Sequence, residues 1–272
     1  MKSSDRLTNE ARQLIGKNWG KSSLTRQKLL QNVRAIARHM ASQGLQHIGD
    51  MKSKHVTRFF DSLKQKELSA STMQNYATAM RTIAERIGKS GIVPEKNKDL
   101  GISRTDRYQP ITANSDKITS IREQLAMRDE RLLAALDMRE AFGLRAKESL
   151  LSNKVIERDG KQYLSVEGAK GGRPRELEIE NNQQRQALAH VQQIIDTQGT
   201  KSIIPQDKDL KQYYDYQKNT LYNLGARRAD GSNMHAQRHS FAQDETAKGK
   251  SSGEVQMILG HGVERTLRHY VP

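Results

Sequence analysis

Four groups of residues in the second half of the chain have the types and spacing to handle an anion. They are Gly143-Leu144-Arg145 followed by Glu148, Lys170 inside Gly168-Ala169-Lys170-Gly171-Gly172, His235 three residues ahead of Arg238, and Gly260-His261 nine residues ahead of Tyr270. A guanidinium group forks onto two phosphate oxygens at once, which an ammonium group cannot reproduce. His235 and Arg238 follow Gly231-Ser232-Asn233 at the expected start of a helix, where free backbone N–H groups and two cationic side chains can meet one phosphate. Taken singly, each group also has an ordinary structural explanation. An Arg after a helix-ending Gly is commonly a surface residue, a Lys among glycines a solvated turn, a His near a helix start a cap, and a Tyr near a chain end part of a frayed tail.

Other chemistries lose their support in the same pass. The chain has no Cys, which removes disulfides, thiolate nucleophiles and Cys-ligated zinc. It carries no HEXXH zinc motif, no Gly-Lys-Ser/Thr phosphate loop and no Gly-x-Ser-x-Gly nucleophile turn. No metal site and no cofactor are therefore expected. Lys plus Arg total 46 against 31 for Asp plus Glu, a net charge of +15, and nucleic acid is the commonest partner for such a balance. No apolar run approaches the roughly 20 residues that cross a bilayer, and residues 1–30 lack an apolar signal core. The expectation is no membrane partner and a location in a reducing cytoplasm, at the nucleoid.

The elements that must hold these groups follow from apolar spacing. At 272 residues the chain can form two modest domains. Leu29, Leu30, Val33, Ile36, Ala37 and Met40 recur at helical spacing between Ser22 or Ser23 and Gly44. Val56, Phe59, Phe60 and Leu63 form a second stripe after Ser53, and Met73, Tyr76, Ala77, Met80, Ile83, Ala84 and Ile87 a third after Ser69. These define an N-terminal helical domain over residues 1–90. Residues 91–114 show neither helical nor strand period and read as a linker. A second domain over 115–272 opens with helices through Ile118–Leu125 and Leu132–Phe142. Short strands follow at 155–157, 163–166 and 176–179, separated by Asp159-Gly160 and Lys170-Gly171-Gly172, and form a three-stranded antiparallel sheet. Helical patterns return around 187–195, 213–224, 240–247 and 255–259. The expected class is mainly α with one small antiparallel sheet.

In order and spacing together, the four groups resemble the tyrosine recombinase, or phage integrase, family. Phe142-Gly143-Leu144-Arg145-Ala146-Lys147-Glu148 is similar to its first arginine box, Met234-His235-Ala236-Gln237-Arg238-His239 to its His-x-x-Arg box, and Leu259-Gly260-His261 is followed by Tyr270 at the family's spacing. The resemblance covers nearly all of residues 115–272, and it implies a hairpin lysine at Lys170 and a supporting carboxylate at Glu148. All six catalytic positions of the family are filled: Arg145, Lys170, His235, Arg238, His261 and Tyr270. By layout rather than motif, residues 1–90 look like the family's helical core-site DNA-binding (SAM-like) domain.

The implied chemistry is phosphodiester transfer without metal or ATP. Two arginines neutralise the non-bridging oxygens, and a tyrosine with a hydroxyl pKa of about 10 attacks with help from a base or a cationic field. Through the resemblance, His235 is that base, Lys170 protonates the leaving 5′-oxygen, and His261 donates a hydrogen bond to the phosphate. A 3′-phosphotyrosyl link and a free 5′-hydroxyl result. Implied partners are double-stranded DNA bearing core recombination sites, further copies of the chain in a synaptic tetramer, and accessory DNA-bending proteins. Ser71, Thr72, Gln74 and Asn75 are candidates for base reading or, equally, for helix capping, and Arg173, Arg175 and His239 for contacts to the DNA backbone. Residues 1–20 are too few for the arm-site domain of larger integrases, and the segment after Tyr270 too short for the family's docking helix. Two other readings stay open: relaxation like that of a type IB topoisomerase, and a DNA-binding regulator derived from a recombinase.

Overall fold

The computed structural model describes residues 3–16, 23–103, 111–168, 173–262, 267 and 270. The protein is mainly helical with one three-stranded antiparallel sheet. It divides into two compact units, residues 1–106 and 107–272.

The first unit holds α1 (Ser3–Ile15), α2 (Ser23–Ser42), α3 (Ser53–Gln65) and α4 (Ala70–Arg86). Phe59 of α3 joins three of these helices, meeting His39 of α2 at 5.2 Å and Tyr76 of α4 at 5.4 Å, both edge-on. Two starts are closed locally. His55 Nδ1 accepts the Lys52 N–H at 3.0 Å ahead of α3, and Ser69 Oγ accepts the Thr72 N–H at 3.3 Å ahead of α4.

Sequence periodicity placed the first helix at residue 24 and missed α1. Only Leu7, Ala11 and Ile15 turn inward in that polar segment, every fourth residue, and all three are buried. Part of the stretch expected as a linker also belongs to this core. Val93, Leu100 and Ile102 are buried in it, and the Arg81 guanidinium bonds the Pro94 carbonyl at 2.9 Å and Asn97 Oδ1 at 3.0 Å. Isolated apolar residues among charged ones show no period, which is why sequence reading saw a linker there.

The second unit is built around α6 (Glu130–Phe142), which follows α5 (Ser115–Ala126). Burial runs around nearly the whole of α6, including Leu132, Ala135, Met138 and Phe142, as expected for a central helix. After the single turn α7 (Glu148–Leu151) come β1 (Lys154–Arg158), β2 (Lys161–Val166) and β3 (Arg175–Glu178). Val155 pairs with Leu164, and Leu164 with Leu177. The β1–β2 turn is Asp159-Gly160, both at positive φ (53° and 70°), the geometry that matches the strand twist. Then come α8 (Asn182–Gln198), α9 (Leu210–Asn223), α10 (Ala236–Ala247) and α11 (Ser252–Leu259). Among the described residues, no helix is long and apolar enough to cross a membrane.

Candidate active site

Two helix C-termini converge on the arginines. α6 ends at Gly143 with φ 61°, and α11 ends at Gly260 with the same φ. Gly143 is doubly required, because a Cβ there would also overlap the Phe241 ring. The last carbonyls of a helix lack intrahelical donors and carry partial negative charge, so they suit cations. Arg238, in the first turn of α10 and fully buried, uses them: one terminal nitrogen donates to the Gly143 carbonyl at 2.5 Å and the other to the Leu259 carbonyl. Arg145, one-quarter exposed, donates to the Gly260 carbonyl at 3.3 Å. Arg238 is thus buried against dipoles rather than a carboxylate, which holds it in place without cancelling its charge. Desolvation, then Arg145, lowers its pKa to about 10, so it remains a cation at neutral pH.

Glu148 orients Arg145. It accepts the Arg145 backbone N–H at 2.9 Å and its guanidinium at 2.7 Å. From β3, Arg175 adds two further bonds to the same carboxylate, at 2.9 and 3.3 Å, while its Nε donates to the Ile258 carbonyl at 2.6 Å. Burial pushes the Glu148 pKa up, but the Arg175 hydrogen bonds and charge, with those of Arg145, override it and hold it at about 2.

His261 is buried and neutral. Desolvation first, then the charges of Arg238, Arg145 and Arg175, drives its pKa down to about 3. Its Nε2 lies 3.1 Å from an Arg238 amino group, which can only donate, so Nε2 accepts and the proton sits on Nδ1. Among the described residues, that Nδ1–H and the Arg238 Nε–H are buried without a hydrogen-bond acceptor. Two buried donors left open in a cationic site are what an incoming phosphate oxygen would satisfy.

The Tyr270 ring lies among these groups, 4.8 Å from His261, 6.3 Å from His235 and 5.7 Å from the Arg238 guanidinium carbon. His235 is exposed, and its imidazolium is disfavoured by partial desolvation and then by Arg238, Arg145 and Arg228, leaving it neutral and able to accept a proton. Of the six residues singled out in the sequence, the structure brings five together. Lys170 lies outside the described residues.

The candidate DNA-reading residues divide. Ser71 and Asn75 are exposed at the start of α4, and Thr72 and Gln74 are half-buried beside them. Arg173 is exposed, with its guanidinium beside Gly262. Arg175 does not face outward as expected: its side chain is 7% exposed and bound to Glu148. His239 is also turned in, stacked on Tyr270 at 4.3 Å and 20°. Alternation along β3 and the helical turn from Arg238 set these directions, which a residue's position beside a motif does not reveal. Sequence reading also missed Gln243, whose side-chain amide donates to the Tyr270 carbonyl at 3.2 Å, and Arg139, which is fully buried in α6. Neither had a sequence signal. One is a polar residue among polar residues, the other a charge inside an apolar stripe.

The chain is thus mainly helical in two units, the second of which gathers arginines and histidines around a tyrosine. The integrase family model matches residues 101–244, and the phage integrase N-terminal model matches residues 4–93. The chain belongs to the tyrosine recombinase, or phage integrase, family. Its fold is similar to the XerH site-specific recombinase in a post-cleavage complex with palindromic difH substrate, with TM-score 0.68, 19% identity, and coverage of 92% of this chain and 77% of that one. It is also similar to a lambda integrase tetramer bound to a Holliday junction, with TM-score 0.67, 14% identity, and coverage of 98% and 76%. The Tn1549 transposon integrase in complex with a circular intermediate DNA gives TM-score 0.61 at 16% identity, covering 99% and 95%. No curated protein sequence matches the chain.

Proposed function

We propose that the protein is a site-specific DNA recombinase that cleaves and rejoins DNA through a 3′-phosphotyrosyl intermediate, in integration, excision, inversion or resolution. The observation that carries this reading is Tyr270 seated in the same pocket as Arg145, Arg238, His235 and His261.

In this reading the scissile phosphate enters between the two arginines, whose charges offset those gathering on its non-bridging oxygens. His261 donates its Nδ1–H to one of these oxygens. Neutral His235 takes the proton from the Tyr270 hydroxyl as its oxygen attacks phosphorus, and the P–O bond to the 5′-oxygen breaks. Lys170 gives that oxygen its proton. The phosphotyrosyl ester conserves the energy of the broken bond, so rejoining by a 5′-hydroxyl needs no ATP. The partners are double-stranded DNA bearing core sites, further copies of the chain in a tetramer, and accessory DNA-bending proteins. The first unit and Arg173 contribute phosphate contacts whose strength falls with salt.

Covalent capture tests the proposal. The protein is incubated with nicked suicide duplexes made from DNA flanking its own gene, then denatured, and the attached DNA is sequenced. A Tyr270-dependent adduct at one 3′-phosphate is expected. Salt-sensitive binding with no adduct would instead favour a DNA-binding regulator. Relaxation of supercoils without exchange between labelled duplexes would favour a topoisomerase.

A further inference from the structure

Tyr270 is held by two side chains from one face of α10. His239 stacks nearly parallel on its ring at 4.3 Å and 20°, while the rings of His235 and His261 meet it at 82° and 44°. One helical turn further on, Gln243 Nε2 donates to the Tyr270 carbonyl at 3.2 Å. Residues i and i+4 share a helix face, so ring and backbone are gripped from the same side. The Tyr270 N–H donates to the Leu267 carbonyl at 2.8 Å, and Leu267 is buried with Ala242, Val255 and Leu259. His239 also follows Arg238 directly and bonds its N–H to the His235 carbonyl at 3.2 Å. The element that supplies the phosphate-binding arginine thereby sets the tyrosine's ring plane.

We infer that His239, assisted by Gln243, is a positioning residue for the Tyr270 nucleophile rather than a DNA contact. A tyrosine ring turns about two side-chain torsions, and a flat face stacked against it removes most of that freedom. The stack leaves the ring edge, and with it the hydroxyl, directed by the ring plane that His239 fixes. The role inferred is that of the imidazole's flat face stacked on the tyrosine, so a phenyl ring should serve in its place.

The inference rests on the proposed chemistry, and the test separates the two. Single-turnover adduct formation is measured on a saturating suicide duplex for the full-length wild type, His239→Ala, His239→Phe and Gln243→Ala, alongside DNA affinity and thermal stability. Misplacement of a reacting atom by about 1 Å costs on the order of a hundredfold, so His239→Ala should slow adduct formation by about that factor while leaving DNA affinity within about twofold. His239→Phe should recover most of the rate, and Gln243→Ala should show a smaller loss of the same kind. A duplex with sulfur at the bridging 5′-position needs no proton on its leaving group. It should rescue Lys170→Ala and leave His239→Ala slow.

A wild type with no Tyr270 adduct overturns the proposed function. A wild type that forms the adduct overturns the inference alone in any of three cases: His239→Ala keeps the wild-type rate, His239→Phe is as slow as His239→Ala, or the sulfur duplex rescues His239→Ala. Should His239→Ala fail to fold, His239→Phe against His239→Leu decides the same question, since both fill the space and only one presents a flat face.

Discussion

Arg175 and Arg145 share Glu148: each donates to the same buried carboxylate, at 2.9 Å from one and 2.7 Å from the other. Glu148 is thus the joint between the sheet and the loop that follows α6. Removing one partner of a buried ion pair leaves an uncompensated charge, which costs about 3–5 kcal/mol. Glu148→Gln is therefore expected to destabilise the protein by about that amount, read as a lower urea midpoint with an unchanged m-value. Cleavage should fall as well, because Arg145 loses its orienting partner.

The inward turn of Arg175 separates it from its neighbour Arg173 in a salt titration of DNA binding. Arg173→Ala should reduce the salt slope by about one counterion if its exposed guanidinium meets a phosphate. Arg175→Ala should leave the slope unchanged and lower stability instead.

The two histidines beside Tyr270 with lowered pKa values, His261 and His235, make stability fall as the pH drops, opposed by His190, which is raised by its hydrogen bond to Asp137. Unfolded, His261 takes up a proton below about pH 6.5, whereas folded it does so only below about 3. Its contribution is fully present above pH 6.5 and is lost as the pH falls towards 3, because the unfolded chain binds the additional proton. His235, also lowered, adds to the same trend. Glu148 acts lower, from its usual 4.5 down to about 2. Thermal melts from pH 7.5 to 5 should show a falling Tm, and His261→Gln should flatten that slope.

Arg139 offers a different test. Its Nε donates to the Ala135 carbonyl at 3.2 Å, but both terminal nitrogens are buried without acceptors among the described residues. Burial, countered in part by Glu140, pulls its pKa down to about 10, so it stays charged. Substituting apolar groups of similar volume for buried charges is often neutral or stabilising by about 1–4 kcal/mol. Arg139→Met should therefore hold or raise the urea midpoint, whereas Arg238→Met, which removes three hydrogen bonds at the site, should abolish cleavage.

The reach of the sequence follows from what periodicity encodes. The stripes through Val56–Leu63 and Met73–Ile87 placed α3 and α4 within a residue or two, and Asp159-Gly160 placed the first hairpin, because apolar spacing and turn chemistry are local. Leu7, Ala11 and Ile15 were missed because three residues in thirteen make a faint stripe. At the site, the spacing of Arg145, His235, Arg238, His261 and Tyr270 marked the residues that converge. The partners that seat them were not legible, since backbone carbonyls at residues 143, 259 and 260 carry no side-chain signature. The directions of Arg175 and His239 likewise depend on packing across elements.

The seating of both arginines on helix-end carbonyls also orders events during synthesis of the chain. Arg145 is joined to a carbonyl 115 residues later, and Arg238 to one 95 residues earlier and another 21 later. A chain made only up to residue 258 leaves Arg145 without its Gly260 seat and Arg238 with half of its own. The paired arginine seats therefore come together only once residues 259 and 260 have been made, after the helices and sheet that precede them.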